Sequence, residues 1–252
     1  MLQTLSEIFK LKTIEIDESG ERIPLHSHTS KEQGEFLQDM FDLINPNTSL
    51  EVGFAYGIST LFILEKHRQN NSSERCHIVI EPDSYWGAAA VHNIQKEGLI
   101  KYLEIKKDFS DRILTSLYLQ NHRIQFAYID TTKRFDIVMQ DFYFIDKMTD
   151  VGGVVILDDC GGGWPGIQRV ARYVNSLPHY KLLGKHGQTR QSVKRSLILG
   201  LANISLRLVP LKEQLVETSS FKTNKELGLN YACLAFKKIL EDDRKWDWDK
   251  SF

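Results

Sequence analysis

Short apolar runs alternate with amphipathic stretches along most of the chain. The apolar runs have the length of buried strands, and we expect strands at 49–52, 77–80, 102–106, 125–129, 153–157, 179–184 and 230–237. Apolar residues at helical spacing predict helices at 31–44, 58–69, 84–97, 134–147 and 166–176, with a short helix that begins near Ser110. Strands that alternate with such helices are typical of βαβ units. The pattern therefore predicts an α/β fold, with a parallel sheet and helices on both faces.

The N-terminal end of this pattern is less regular. Apolar residues at helical spacing predict an amphipathic helix at 2–11, which could act as a lid, contact a second subunit or dock on the core. Ser30 and Gln33 have the spacing of a capping box for the helix that follows them. We therefore expect an N-terminal helix and loop at 1–30 and a single domain at 31–252.

Residues 185–228 interrupt the alternation before the last strand. The segment begins polar, continues with apolar residues up to Pro210, and ends in a stretch rich in Ser, Thr and Lys. We expect an insertion that is partly helical. Its apolar face could cover a substrate pocket, pair with a second copy of the chain as a homodimer, or pack back on the core.

The composition indicates which classes of partner the protein binds and in which cellular compartment it is located. The formal net charge is −1 and the basic residues are spread along the chain, which argues against nucleic-acid binding. No apolar run reaches the roughly 18 residues that a membrane helix needs, and the N-terminus does not have the pattern of a signal peptide. Three widely separated cysteines form no CxxC pair, which is typical of a reducing, cytoplasmic location.

A turn with two glycines follows the first strand of the alternating region. The stretch SLEVGFAYGIST at 49–60 reads as strand, turn and helix start, with Gly53 and Gly57 in the turn. Glycine allows a sharp turn and a close approach of the backbone to a ligand, while the helix N-terminus offers free N–H groups. The stretch is therefore a candidate nucleotide site, or else an ordinary βα turn.

Acidic residues stand at the carboxyl ends of several predicted strands. Glu51 and Glu81 end the first two strands of the alternating region, and Asp130 and the pair Asp158-Asp159 end two later ones. Ligands of open α/β sheets bind beyond this edge. The distance of Glu81 from the glycine turn is that of an acid that accepts hydrogen bonds from ribose hydroxyls. The GxGxxG pattern of dinucleotide sites is absent, and the spacing here is GxxxG.

The last three of these carboxylates form a candidate metal site. Asp130, Asp158 and Asp159 follow neighbouring predicted strands, so we expect them to converge. Nearby carboxylates repel one another unless they are protonated or neutralised, and a hard divalent cation such as Mg²⁺ neutralises them. One or more of them could instead cap a helix or bind the cofactor. Lys133 could face the same pocket, either as a general base or as the partner of a carboxylate.

Four segments of the chain carry motifs in an order that is known from one enzyme family. LEVGFAYGIST (50–60) is similar to the family motif LEIGxxxGxST, and VIEPDSYWGAAAVHNIQKEGL (79–99) to its acid-ending second strand and following helix. YIDTTK (128–133) resembles the strand end with a metal Asp and a catalytic base, and VGGVVILDDCGGGWPGIQRV (151–170) the GGxxxxDD segment and WPG loop. Together they resemble the class I S-adenosylmethionine-dependent O-methyltransferases. The resemblance is to the small metal-dependent group of catechol, caffeoyl-CoA and macrolide-sugar O-methyltransferases.

The resemblance implies a Rossmann-like, doubly wound, mostly parallel seven-stranded sheet whose last strand is antiparallel. It also implies S-adenosylmethionine as cofactor and a divalent metal such as Mg²⁺. At matching motif positions, the implied cofactor-binding residues are Glu51, Gly53, Tyr56, Gly57 and Ser59 at the methionine part, Glu81 at the ribose, Asp108 and Ser110 at the adenine, and Asp130. The implied metal ligands are Asp130, Asp158 and Asp159, and the implied catalytic base is Lys133.

The activity that the resemblance implies is methyl transfer to a hydroxyl of a small molecule. Many relatives have Asp-Asn where this chain has Asp158-Asp159, and catechol enzymes have an aromatic residue at the position of Thr132. Both differences favour a sugar or another diol over a catechol as acceptor. A non-catalytic S-adenosylmethionine-binding protein is the alternative. An NAD-dependent oxidoreductase is disfavoured by the GxxxG spacing and by the paired aspartates.

Overall fold

A computed structural model describes residues 1–74, 76–83, 85–161, 163–189 and 222–249. The first half of the chain forms α1 (Gln3–Leu11), β1 (Thr13–Glu15), β2 (Arg22–Pro24), α2 (Lys31–Ile44), β3 (Ser49–Val52), α3 (Ile58–Gln69), β4 (His77–Ile80) and α4 (Tyr85–Lys96). A 3₁₀ turn at Ile100–Tyr102 leads to β5 (Leu103–Lys106), α5 (Ser110–Leu119), β6 (Ile124–Ile129), α6 (Phe135–Met148), β7 (Thr149–Leu157), α7 (Pro165–Ser176), β8 (Tyr180–Gln188) and β9 (Tyr231–Lys238). The helices and strands predicted at 2–184 and 230–237 are present, with ends that differ by a few residues. Within these described ranges, no helix has the length and apolar character needed to cross a membrane.

Seven of the strands form one mixed sheet, in the order β5-β4-β3-β6-β7-β9-β8. β3, the strand before the glycine turn, pairs in parallel with β4 on one side and with β6 on the other. β9 enters between β7 and β8 and runs antiparallel to both. The predicted Rossmann-like architecture and its antiparallel last strand are confirmed. Because β3, β4, β6 and β7 are parallel, the segments that follow them lie at the same edge of the sheet.

Helices cover both faces of the sheet. Successive residues of a strand point to opposite faces, so each strand contributes to two apolar layers. On one face, α5, α6 and α7 pack on strand residues that include Leu50 and Ala127. On the other face, α2 packs on Phe126 and Val154, while α1, α3 and α4 pack on Val79. This layering leaves the carboxyl edge of the parallel strands open for a site.

The start of α2 is fixed by a cap and by a close contact with α3. The Ser30 hydroxyl accepts a hydrogen bond from the Gln33 backbone N–H at 3.1 Å. A Cβ on Gly34 would overlap the ring of Phe62, so glycine at this position is what lets the two helices approach. Only half of the predicted capping box forms, because the Gln33 side chain points to the carboxyl edge of the sheet instead of back to Ser30.

Two features differ from the prediction. β1 and β2 form a small antiparallel hairpin, with Thr13 opposite Pro24, in a stretch that we expected to be a loop. β8 continues to Gln188 because it pairs with β9 that far, opposite Tyr231. The expected insertion at 185–228 therefore starts after the end of this strand, and its residues 190–221 lie outside the described part of the chain.

Candidate active site

The carboxyl edge of the sheet carries a cavity of about 780 Å³. Its walls come from the glycine turn after β3, from the ends of β4, β6 and β7, and from the start of α5. The residues predicted for the site that line this cavity are Gly53, Tyr56, Ser59, Glu81, Ser110, Asp130, Lys133, Asp158 and Asp159. Three other predicted residues are not part of the lining, namely Glu51, Gly57 and Asp108.

The glycine turn is held in a conformation that other residues would strain. Gly53 has a φ of +97°, and a Cβ on it would overlap the backbone carbonyl of Asp130. The Glu81 carboxylate then fastens the turn, since one of its oxygens accepts hydrogen bonds from the N–H groups of Phe54 at 2.9 Å and Ala55 at 3.3 Å. Gly57, at φ +68°, forms the N-terminal boundary of α3. The turn and the acid predicted to bind a nucleotide are therefore joined directly.

The structure places Glu51 outside the lining of the cavity. Its side chain is fully buried beneath the turn rather than facing the cavity. Its carboxylate accepts hydrogen bonds from the hydroxyls of Ser59 and Thr60 at the start of α3, and it lies 3.2 Å from Nε2 of His77. Because every one of these contacts lies within the protein, we interpret Glu51 as an anchor for the N-terminus of α3.

The predicted adenine border is shifted by one residue. Asp108 accepts hydrogen bonds from the Phe109 N–H at 2.8 Å and from Arg112 at 3.1 Å, while Phe109 and Ser110 line the cavity. Behind Ser110, Asp141 of α6 is fully buried. Burial raises the pKa of the Asp141 carboxyl to about 6, although the Ser110 hydroxyl acts in the opposite direction.

Lys133 lies between two of the predicted metal ligands. Its Nζ is 2.8 Å from Oδ1 of Asp130 and 2.7 Å from Oδ2 of Asp159. Burial lowers the pKa of Lys133, but the pairs with both carboxylates outweigh it, so the pKa lies above its ordinary value. The Asp130 side chain is 33 % exposed towards the cavity. The surrounding protein and the Asp158 carboxylate nevertheless raise its pKa to about 7, against the effect of Lys133.

Asp158 is held by a different set of partners. Its Oδ2 accepts hydrogen bonds from the Tyr128 hydroxyl at 2.9 Å and from the Gln33 amide at 2.8 Å. Its Oδ1 accepts one from the Asp159 N–H at 2.8 Å and contacts the Cys233 thiol at 2.9 Å. Burial and the Asp158 carboxylate raise the pKa of the Tyr128 phenol, so it keeps the proton that it donates.

The three carboxylates fit a divalent cation. Asp130, Asp158 and Asp159 each offer an oxygen, and these oxygens lie within 4.8 Å of one another. Carboxylate oxygens are the ligands that Mg²⁺ and Mn²⁺ prefer. Three carboxyl groups face one ammonium group, that of Lys133, so the cluster has more acids than cations.

A second group of potential metal ligands lies at the opposite edge of the sheet, and its charge differs from that of the first group. Asp146, His179 and Asp242 also bring ligand atoms within 4.8 Å of one another. Here Lys238 lies 3.3 Å from Asp146, and Arg244 lies 2.6 Å from Asp242. The two carboxylates are therefore already balanced by two cations, and a metal ion would gain less from this group.

Part of the cavity wall could not be predicted from the sequence. Ser27, His28, Thr29 and Gln33 line the cavity from the segment before α2 and its first turn, and Trp164 lines it from the segment after β7. Burial lowers the pKa of His28, which favours the neutral imidazole. The WPG motif was a signal for Trp164, but no local pattern placed the segment before α2 at the sheet edge.

Comparison with known proteins gives one family and many structures of the same fold. Residues 50–160 match the sequence model of a family described as "Methyltransferase domain". No curated protein sequence matches the chain. The matched residues contain the glycine turn, Glu81, Lys133 and the three carboxylates, so the family match spans the lining predicted from the sequence.

Solved structures resemble the chain at low sequence identity. An O-methyltransferase from Bacillus cereus in complex with S-adenosylhomocysteine has a TM-score of 0.59 and 19% identity, over 75% of this chain and 86% of that one. TomG from Streptomyces achromogenes is an O-methyltransferase involved in tomaymycin synthesis, solved with S-adenosylmethionine. It has a TM-score of 0.58 and 15% identity, over 75% of this chain and 85% of that one. The S-adenosylhomocysteine-bound methyltransferase PaMTH1 from Podospora anserina has a TM-score of 0.57 and 15% identity, over 73% of this chain and 83% of that one.

These findings agree with the resemblance carried by the sequence motifs. The family match covers the segments from β3 to the end of β7. At the identities given above, the structural likeness shows the fold, and it extends over three quarters of the chain. Residues 50–160 are similar to the family described as a methyltransferase domain, and the chain shares its fold with solved O-methyltransferases.

Proposed function

We propose that this chain transfers a methyl group from S-adenosylmethionine to a hydroxyl of a small molecule, such as a sugar or another diol, with the help of a divalent cation. One observation carries the proposal. The glycine turn with Glu81 and the cluster of three carboxylates with Lys133 face the same cavity. Its volume of about 780 Å³ lies within the usual range of small-molecule sites.

The first half of the cavity suits the cofactor. The Glu81 carboxylate accepts three hydrogen bonds, from the N–H groups of Phe54, Ala55 and Asp83. An ionised carboxylate accepts about four, so capacity remains for a ribose hydroxyl. Phe109 and Ser110 would border the adenine, and Tyr56 and Ser59 the methionine part. Three of the structurally similar enzymes are solved with S-adenosylmethionine or S-adenosylhomocysteine, which supports this assignment.

The second half of the cavity suits activation of a hydroxyl. Asp130, Asp158 and Asp159 would hold a divalent cation, which would lower the pKa of the acceptor hydroxyl when bound. The cofactor would supply a methyl group to the hydroxyl oxygen and leave as S-adenosylhomocysteine, and Nζ of Lys133 would take the hydroxyl proton. Lys133 accepts a proton only as a neutral amine. Its role as base therefore requires that its pairs with Asp130 and Asp159 loosen and that the ammonium first releases its own proton to solvent.

The residues beside Lys133 support the proposed class of acceptor. Thr132 and Lys133 line the cavity together, and a threonine offers a hydroxyl where an aromatic ring would stack on a flat phenol. Ser27 and Thr29 add polar groups to the same space. Such a lining favours a sugar or another diol over a catechol.

Calorimetry tests the cofactor and the metal separately. S-adenosylmethionine and NAD⁺ are each titrated into the protein with Mg²⁺ and with EDTA, and Mg²⁺ is titrated alone. We expect micromolar binding of S-adenosylmethionine, no binding of NAD⁺, and an Mg²⁺ signal that is lost in Asp158→Ala. Asp136→Ala is the matched control, since Asp136 is an exposed acid at the start of α6 that pairs with Arg134.

Each part of the proposal has its own contrary result. If the protein binds NAD⁺ and does not bind S-adenosylmethionine, the proposed methyltransferase activity is wrong and an oxidoreductase is favoured. If the protein binds S-adenosylmethionine but gives no Mg²⁺ signal, the proposed cofactor stands and the proposed metal site is wrong. Binding of both without turnover on any diol in a broad acceptor screen would favour a non-catalytic binding protein.

A further inference from the structure

The carboxylate of Asp158 is held more tightly than those of its two neighbours. Four protein donors surround it, and they approach both oxygens at 2.8 to 2.9 Å. Only 8 % of the residue is exposed. A rotation of this carboxylate would break several hydrogen bonds in a buried place, which is costly. The position of the oxygens of Asp158 is therefore set by the protein before any ligand binds.

The donors of Asp158 differ in kind from those of the other two acids. Asp130 and Asp159 share the ammonium of Lys133. Asp158 has only neutral donors among its hydrogen-bond partners, so its charge is not cancelled by a cation at contact distance. Neutral donors orient a carboxylate without neutralising it. Asp158 thus stays available to a positive charge in the cavity.

Gln33 is the member of this set that comes from outside the sheet. Its amide nitrogen lies 2.8 Å from Oδ2 of Asp158 and 2.8 Å from the Tyr128 hydroxyl, so the three groups form a closed triangle. The Ser30 cap and the close approach of α2 to α3 fix the place of Gln33. Gln33 also lines the cavity, so its amide stands between the N-terminal wall and the carboxylate cluster.

We propose that Gln33, supported by Tyr128, is a positioning residue that holds Asp158 in the orientation that binds a divalent cation. The inference rests on the proposed function. It adds a residue from α2 to the cluster of Asp130, Asp158 and Asp159, which follow the ends of β6 and β7. Residues that orient a metal ligand by hydrogen bonds typically change metal affinity by about 10- to 100-fold when they are replaced. Gln33 does not touch the glycine turn among the contacts of the described residues, so the cofactor half should not depend on it.

The test compares two glutamines of the same helix. Gln33→Met removes the amide that holds Asp158 and keeps the length of the side chain. Gln38→Met is the control, because the Gln38 amide is also half-buried and also donates two bonds, to the Phe62 carbonyl and to Glu65, away from the cavity. Mn²⁺ binding is followed by electron paramagnetic resonance, S-adenosylmethionine binding by calorimetry, and folding by circular dichroism.

We expect Gln33→Met to weaken Mn²⁺ binding by about 10- to 100-fold while S-adenosylmethionine binding stays within about twofold. Gln38→Met should change neither. Tyr128→Phe keeps the buried ring and removes the second donor to the same oxygen, so it provides an independent variant if Gln33→Met folds poorly. The double variant should lose less than the product of the two single effects, because both donors act on one oxygen.

Two contrary results are distinguishable. If wild type binds Mn²⁺ and both Gln33→Met and Tyr128→Phe bind it equally well, Gln33 is not a positioning residue and the proposed function stands. If wild type binds S-adenosylmethionine but no Mn²⁺, the metal part of the proposed function fails, and the role of Gln33 fails with it.

Discussion

At the scale of single residues, Lys133 has one role in the structure and another in the proposed reaction, and one substitution separates them. In the structure it is a cation between Asp130 and Asp159, while the proposed reaction needs it as a base. We expect Lys133→Ala to lower kcat by about 10²- to 10⁴-fold, the usual contribution of a general base. The affinity for S-adenosylmethionine should stay within about threefold of wild type. Production of S-adenosylhomocysteine and calorimetry measure the two quantities.

The neighbouring Arg134 supplies the control. It also lines the cavity, but its side chain is 69 % exposed and pairs with Asp136 outside the carboxylate cluster. Arg134→Ala should therefore keep most of the turnover. Wild-type turnover in Lys133→Ala would show that this lysine only balances the charge of the acids.

Asp141 gives a prediction about stability and pH. Burial raises the pKa of its carboxyl to about 6 in the folded state, above the ordinary value of an unfolded Asp. The charged form is thus penalised in the fold; this cost is fully present above pH 6 and vanishes below about pH 4. We expect Asp141→Asn to raise the free energy of unfolding by about 1–3 kcal/mol at pH 7.5 and to leave it unchanged at pH 4.

Urea denaturation at the two pH values measures this difference. Asp136→Asn on the same helix is the control: Asp136 is exposed and paired, and its replacement should give no gain in stability at either pH. A gain in Asp141→Asn of equal size at pH 4 and pH 7.5 would show that the carboxyl charge is not its cause.

What the sequence reveals about the site depends on how local the signal is. Asp130, Asp158 and Asp159 could be predicted to converge, because parallel strands bring their carboxyl ends to one edge. The burial of Glu51 could not be predicted, since a residue in a strand faces either the core or the ligand, and no local pattern decides which. The contact of Gln33 with Asp158 joins residues 125 positions apart and arises only when α2 packs on the sheet.

At the scale of elements, the turn after β3 depends on glycine for two physical reasons. Gly53 has a φ of +97°, and a Cβ on it would overlap the Asp130 carbonyl. Gly98 has a φ of +69° with no atoms near its missing Cβ, so alanine at this position would strain the backbone without overlapping a neighbour. We expect Gly98→Ala to lower the free energy of unfolding by about 1 kcal/mol and Gly53→Ala to lower it by more than about twice that amount. Gly53→Ala should also weaken binding of S-adenosylmethionine. Urea denaturation and calorimetry test this, and equal costs at both positions would contradict the overlap.

The elements themselves were predictable where their periodicity was long enough. The helices and central strands carry four or more residues of consistent pattern, and each appears near its predicted range. β1 and β2 have three residues each, too few to show alternation, and their polar side chains serve the hairpin itself. Arg22, for example, donates to Thr13 Oγ1 and pairs with Glu15 across the hairpin. The extension of β8 likewise depends on its partner β9, which is distant in sequence.

At the scale of the whole molecule, the apolar layers reach beyond the family match. Residues 50–160 match the family, but α1 and β1 contribute Leu5, Ile8 and Ile14 to the layer that also contains Leu61 of α3. All four side chains are fully buried. The sequence predicted the amphipathic helix and left open whether it was a lid, a dimer contact or a docked helix. The packing of the described residues favours a helix that belongs to the core.

This packing predicts how the molecule unfolds. Leu5 has no exposed surface, while Leu11, on the same helix, is 51 % exposed. We expect Leu5→Ala to lower the free energy of unfolding by about 2–5 kcal/mol, as other large-to-small core substitutions do, and Leu11→Ala by less than about 0.5 kcal/mol. The loss should appear in one cooperative transition, seen alike by circular dichroism and tryptophan fluorescence in urea. A helix that opens as a separate lid would behave differently: Leu5→Ala would then leave the main transition where it is in wild type.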